Sequence, residues 1–195
     1  MVAGLLCILL LGAIVMKVTR GVSTPATPDM ANPGVAGAAG SGPGDDAGAT
    51  GGQAPDISRM TPRERFDRLF NRIMQAAAQG DSVQVERFLP MALGAYGQLD
   101  SVDLDARYHA AVLHLQAGDA RGALALADSI LTAVPTHLFG FMIKADAAGL
   151  ERDSSAEKRA RADFLAHYNG EMKAKRVEYL EHEPAIQDFK REAEK

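Results

Sequence analysis

Five histidines, His109, His114, His137, His167 and His182, are the residues of this chain best suited to holding a metal ion or moving a proton. Their spacing argues against either role. His109 and His114 stand five apart, off the i, i+4 face that two ligands on one helix would share. His182-Glu183 lacks the second histidine of an H-E-x-x-H motif. Surface or half-buried positions are therefore expected for all five. The group Asp100, Asp103 and Asp105 invites calcium, but the glycine and terminal glutamate of an EF-hand loop are missing, so helix capping and solvation are expected instead. Ser154-Ser155 reads as a helix cap rather than a nucleophile. The glycine-rich runs before residue 60 neither follow a strand nor open directly into a helix, as a phosphate cradle must. Cys7, the single cysteine, permits no internal disulfide and no cysteine-based zinc site. Leu6 stands where a lipid-modified cysteine would need a small residue. The expectation is a protein with no catalytic residue, no metal and no cofactor, and so not an enzyme.

The chain carries a formal net charge of −4 with both signs interspersed, which gives no electrostatic basis for nucleic-acid binding. Nothing points to a small-molecule substrate. Val2 to Met16 is free of charge, and Lys17 and Arg20 follow directly. At about 1.5 Å per residue, Met1 to Val18 would span roughly 27 Å as a helix, close to the ~30 Å of a hydrocarbon core. A single-pass transmembrane anchor over 1–20 is expected. A cleaved signal peptide is the alternative, but no basic residue precedes the apolar run, and the first A-x-A-like site, Ala36-Gly37-Ala38, lies far downstream. Lys17 and Arg20 lean toward a cytoplasmic domain; a start further upstream would reverse this to periplasmic. Residues 21–60 are dominated by glycine, alanine and proline, with no aromatic residue, and are expected to form a disordered linker. Residues 61–195 form the folded domain.

Those remaining residues read as helix throughout. Thr61-Pro62-Arg63-Glu64 offers an N-cap, a first-turn proline and a capping-box glutamate. Phe66, Leu69, Phe70, Ile73, Met74 and Ala77 then make one apolar stripe. Gly80-Asp81 ends this helix and caps a second, Ser82 to Leu99, in which Pro90 should kink or break the chain near Phe88. A third helix starts near Leu104 and ends at Gly118. Asp119 caps a fourth that Pro135 terminates, with Ala120 on its exposed side, and Leu138 to Ala148 supplies a fifth. Ser154 with Glu157 starts a sixth, which Asn169-Gly170 should stop after Tyr168. Glu171 to Glu183 forms a further helix bounded by Pro184, and Ala185 to Glu194 a short last one. This charged C-terminal stretch reads as a cap on the open end of the domain, or else as a partner-binding helix.

The mid-pair aspartates Asp81, Asp119 and Asp153 are spaced by 38 and 34 positions. With Pro135 as a repeat-ending proline, Ala111, Ala123 and Ala145 fall where paired helices must approach closely. On these residues the stretch from Arg63 to Tyr168 resembles the tetratricopeptide repeat family, whose period is about 34 residues. Arg107, His114 and Ala127 stand where that family prefers aromatic side chains, and Arg152 replaces a turn glycine. The resemblance implies an all-α, antiparallel helix-pair solenoid with a C-terminal capping helix; a compact bundle is the alternative. It also implies a partner-binding concave surface made by the first helix of each pair. On this register that surface comprises Asp105, Tyr108, Val112 and Gln116, then Phe139, Met142 and Asp146. Exposed aromatic and methionine side chains flanked by acids would suit a peptide with apolar and basic groups. Tyr108, Phe139 and Met142 could equally be core residues. The expected function is a membrane-tethered scaffold that binds a protein or peptide partner. A structural homo-oligomeric envelope protein and, last, an enzyme without a known motif are the alternatives.

Overall fold

The computed structural model describes residues 60–195, and these form eight helices and no strand. The expected anchor over 1–20, and all but the last residue of the expected linker, lie outside the described residues. Among the described residues, no helix is long and apolar enough to cross a membrane. The helices are α1 (Pro62–Ala78), α2 (Ser82–Tyr96), α3 (Leu104–Gln116), α4 (Ala120–Ala133), α5 (Leu138–Glu151), α6 (Ser154–Lys173), α7 (Val177–Glu181) and α8 (Glu183–Ala193). The described residues are all-α.

Local chemistry explains most of the helix starts. Thr61 accepts from the Glu64 backbone N–H, and the Glu64 carboxylate accepts from the Thr61 N–H at 2.8 Å, completing the expected capping box. One turn is then built three times. Gly80 and Gly118, both at φ 71°, and Arg152, at φ 59°, take the left-handed conformation that closes a helix. The residue after each is an aspartate whose N–H reaches back five residues: Asp81 to Ala76, Asp119 to His114 and Asp153 to Ala148, each at 2.9 Å. Each aspartate side chain then caps the next helix, accepting from Gln84, Gly122 and Ala156 respectively. These turns fold α1 against α2, α3 against α4 and α5 against α6.

Two apolar cores share α3. Phe66, Phe70, Ile73, Phe88, Ala92 and Leu113 fill the first, between α1, α2 and α3. The second runs from α3 to α8 around Phe139, Met142, Phe164 and Ile186. Ala111 and Ala123 are fully excluded from solvent, and Ala145 nearly so, as close helix approach requires. Ala120, expected on an exposed side, is buried instead.

Three other expectations are corrected. Of the kink or break expected at Pro90, the break is absent, for α2 runs on as helix through it. Pro90 lies on the exposed face, where the carbonyl freed at Glu86 can be hydrated, while Phe88 and Ala92 hold the inner face in the core. α6 continues through Asn169-Gly170 to Lys173. A helical glycine costs only about 1 kcal/mol, and the last turn is held by buried Glu171 and by Met172 against the core. The expected Glu171–Glu183 helix is therefore divided. Its first residues belong to α6, Lys175 turns the chain at φ 50°, and only α7 remains separate. Pro184 does not end a helix but opens α8, at a first-turn position where its missing N–H is harmless.

Candidate functional site

Aromatic rings link α3 to α1 on one side and to α5 on the other. Phe70 of α1 stacks on His109 of α3 with ring centroids 3.9 Å apart, and Tyr108 of α3 stacks on Phe139 of α5 at 4.0 Å. Across this row lies the C-terminal segment. Tyr179 of α7 meets Phe139 edge-on at 5.2 Å and His137 at 4.9 Å. His182, in the junction between α7 and α8, sits edge-on to Tyr108, His109 and Phe139, at 5.0, 5.1 and 5.2 Å.

Polar groups pin the segment at two ends. At the α5 end, the Tyr179 hydroxyl accepts from the Leu138 N–H at 2.9 Å, satisfying a first-turn donor of α5, and donates to Glu171 at 2.9 Å. Thr136 Oγ1 and Arg176 Nε also donate to that carboxylate, at 2.5 and 2.7 Å. Burial pulls the Glu171 carboxyl upward, but Arg176, Thr136 and Tyr179 outweigh it and hold it below its ordinary range. His137 is fully buried. Its Nδ1 accepts from the Phe139 N–H, which leaves Nε2–H to donate to Glu178 at 3.1 Å. Burial lowers its pKa, against the pull of Glu178, so the ring is held neutral. The Tyr108 and Tyr179 hydroxyls are pushed well above the usual phenol range, in both cases first by burial.

At the α3 end three potential ligand atoms converge. His109 Nε2 lies 3.2 Å from His182 Nε2; His182 Nε2 lies 2.9 Å from Asp105 Oδ1; His109 Nε2 lies 3.7 Å from that same oxygen. Asp105 and His109 are one helical turn apart on α3, and His182 comes from the α7–α8 junction. The other Asp105 oxygen accepts from Arg63 Nη2 at 2.6 Å. Arg63 also donates to Asp67 and Asp103, so one guanidinium of α1 orders three aspartates. Burial raises the Asp105 carboxyl, but His182, His109 and Arg63 together hold it below its ordinary value.

The seven residues expected to line a partner surface sit in different settings. Asp105, Tyr108 and Phe139 are brought together around His182. Tyr108, Phe139 and Met142 are buried in the second core, 5%, 0% and 2% exposed, which is the core alternative to an exposed aromatic row. Val112, Gln116 and Asp146 are half-buried further along α3 and α5. Burial pushes the Asp146 carboxyl up to about 7. His109 and His182 were set aside as ligands on their spacing in the sequence, and His109, like His137, is buried rather than at the surface or half-buried as expected. The i, i+4 spacing of Asp105 and His109 was a usable signal, but His182 joins them only through the fold. Comparison with models of known families, with curated proteins and with solved structures gave no match to this chain.

Proposed function

We propose that this chain is a membrane-tethered helical-repeat scaffold that holds a protein or peptide partner. Residues 1–20 serve as the anchor, 21–60 as the linker, and the three helix pairs as a solenoid of tetratricopeptide type. Lys17 and Arg20 lean toward a cytoplasmic domain, and a start further upstream would reverse this to periplasmic. The observation that supports this reading is the inner face itself. Its aromatic row from α3 to α5 takes a short segment of the chain itself, α7 and the residue after it, through Tyr179 and His182. A surface that seats one such segment has the shape and chemistry to seat another of like character, with an aromatic anchor and flanking acids and bases. Partner and C-terminal segment then compete for the row, and Val112, Gln116 and Asp146 form its accessible margin.

Alanine at Tyr108 or Phe139 would cost about 3–5 kcal/mol of folding, so lost binding in such variants would report only lost structure. The test is photo-crosslinking in intact cells from a reactive residue at Gln116, compared with one at Glu86 on the exposed side of α2. A discrete adduct from Gln116 alone is expected. No adduct, or the same adducts from both positions, would overturn the inner-face reading.

A further inference from the structure

We propose that Asp105, His109 and His182 form a binding site for a divalent transition-metal ion, zinc by its ligand chemistry. The ion would fasten the C-terminal segment to α3, whatever partner the repeat holds. Four observations carry this. First, the three donor atoms are separated by 2.9, 3.2 and 3.7 Å, which leaves a point about 2 Å from all three. Imidazole–zinc and carboxylate–zinc bonds of about 2.0–2.2 Å at tetrahedral angles require ligand atoms roughly 3.3–3.5 Å apart. The three atoms thus describe one face of a coordination tetrahedron.

Second, hydrogen bonding alone serves this arrangement poorly. His182 Nε2 lies within reach of both His109 Nε2 and Asp105 Oδ1, and a single N–H on it cannot point squarely at both. A cation at the common point satisfies all three lone pairs at once.

Third, the outer groups are those that orient metal ligands. Asp105 presents Oδ1 to the site while Arg63 holds its Oδ2. His109 Nδ1 is buried and has no hydrogen-bond partner, and the nearest carboxylate oxygen, Asp67 Oδ1, lies 3.6 Å away. A histidine that ligates through Nε2 carries its proton on Nδ1 and commonly directs it to a carboxylate. A small tightening of this contact would complete that arrangement. Fourth, the rings are fixed before any ion arrives: His109 is stacked on Phe70, and His182 is wedged between Tyr108 and Phe139. Two imidazoles and one carboxylate select a borderline ion such as zinc over magnesium or calcium, which prefer all-oxygen shells. Three protein donors leave a fourth position for water or for a donor brought by a partner.

The experiment uses the untagged full chain, stripped with chelator and titrated with Zn2+ and separately with Mg2+ by calorimetry. One Zn2+ per chain and no measurable Mg2+ binding are expected. His182→Gln and His109→Phe, the latter keeping a flat ring against Phe70, should each weaken zinc binding by about a hundredfold or more, and Asp67→Asn by about tenfold. Zn2+ should also slow tryptic cleavage after the exposed Lys173 and Lys175, and His182→Gln should remove that protection. Circular dichroism checks that each variant keeps its helix content. Should either ligand variant unfold, X-ray absorption of the zinc-loaded wild-type chain decides, with two imidazoles and no sulfur expected in the first shell. Zinc bound no more tightly than magnesium, wild-type affinity in folded variants, or fewer than two imidazoles on the metal would overturn the proposal.

Discussion

His109 and His182 face each other through their Nε2 atoms at 3.2 Å, although 73 positions separate them in the chain. The pair ties the middle of the helix stack to its last turn. It stands at one end of a seam whose other end is the Glu171–Tyr179–Leu138 chain of hydrogen bonds. Between the two, Phe139 touches both Tyr179 and His182. The C-terminal segment is thus part of the core on this face, and its stability should respond to changes at either end.

Glu171 tests the α5 end. Glu171→Gln keeps the shape but removes the charge that Arg176, Thr136 and Tyr179 donate to. A loss of about 2–4 kcal/mol is expected, because a buried acceptor network is left poorly matched. The wild-type carboxyl lies below its ordinary value, so its contribution is present above pH 4.5 and is lost as pH falls through the lower, folded value. The variant should show a flatter acid limb in a plot of Tm against pH. A wild-type-like acid limb would count against the network.

The repeated turn gives a prediction with the opposite sign. Arg152 takes the left-handed conformation that Gly80 and Gly118 take in the two preceding turns. A residue with a Cβ is strained there by roughly 1–2 kcal/mol, and glycine gives part of that back through its greater freedom in the unfolded chain. Arg152→Gly should therefore stabilise by about 0.5–1 kcal/mol, read as a rise in the denaturation midpoint with unchanged slope. Gly118→Ala should move the midpoint the other way.

Close helix contact is tested at Ala123 of α4, which is fully buried in the second core. Ala123→Leu should overpack the contact and cost about 1–3 kcal/mol. Ala125, on the exposed side of the same helix, is the control, and Ala125→Leu should change stability little. Equal midpoints for the two variants would refute the close packing.

Much of this architecture could be read from residue types alone, because it is local. Thr61 with Glu64, and Asp81 and Asp119, announce helix starts by side-chain chemistry that needs no tertiary partner; at the sixth helix the cap is Asp153, one residue before the expected Ser154. The small residues Ala111, Ala123 and Ala145 mark contacts by being small. The misreadings arose where tertiary contacts override local preference. Asn169-Gly170 looks like a stop, but Glu171 finds three donors in the folded chain and keeps the helix going. Pro90 looks like a break, but it sits where water can replace the lost bond. The site at Asp105 was half visible: its spacing from His109 is an ordinary one-turn ligand pair, whereas His182 arrives by way of a turn at Lys175 that no local pattern specifies.

Asp146 supplies the last prediction. The carboxyl is half-buried on α5, and burial, together with Glu157 and against the pull of Arg161, pushes it up to about 7. A raised carboxyl favours the folded state only while it is protonated. In the unfolded chain it ionises near 3.8, so between that value and about 7 the unfolded state loses its proton first, and stability falls as pH rises. Above about 7 both states are ionised and the loss levels off. Asp146→Asn removes the titration but keeps the size. It should leave Tm nearly unchanged near pH 4 and raise stability above pH 7. The gain should be of the order of 1 kcal/mol, since solvent reaching the half-buried group screens the penalty. Thermal denaturation of wild type and variant between pH 4 and pH 8 makes the comparison. Parallel curves for the two proteins would mean that Asp146 ionises in the folded state as it does in water.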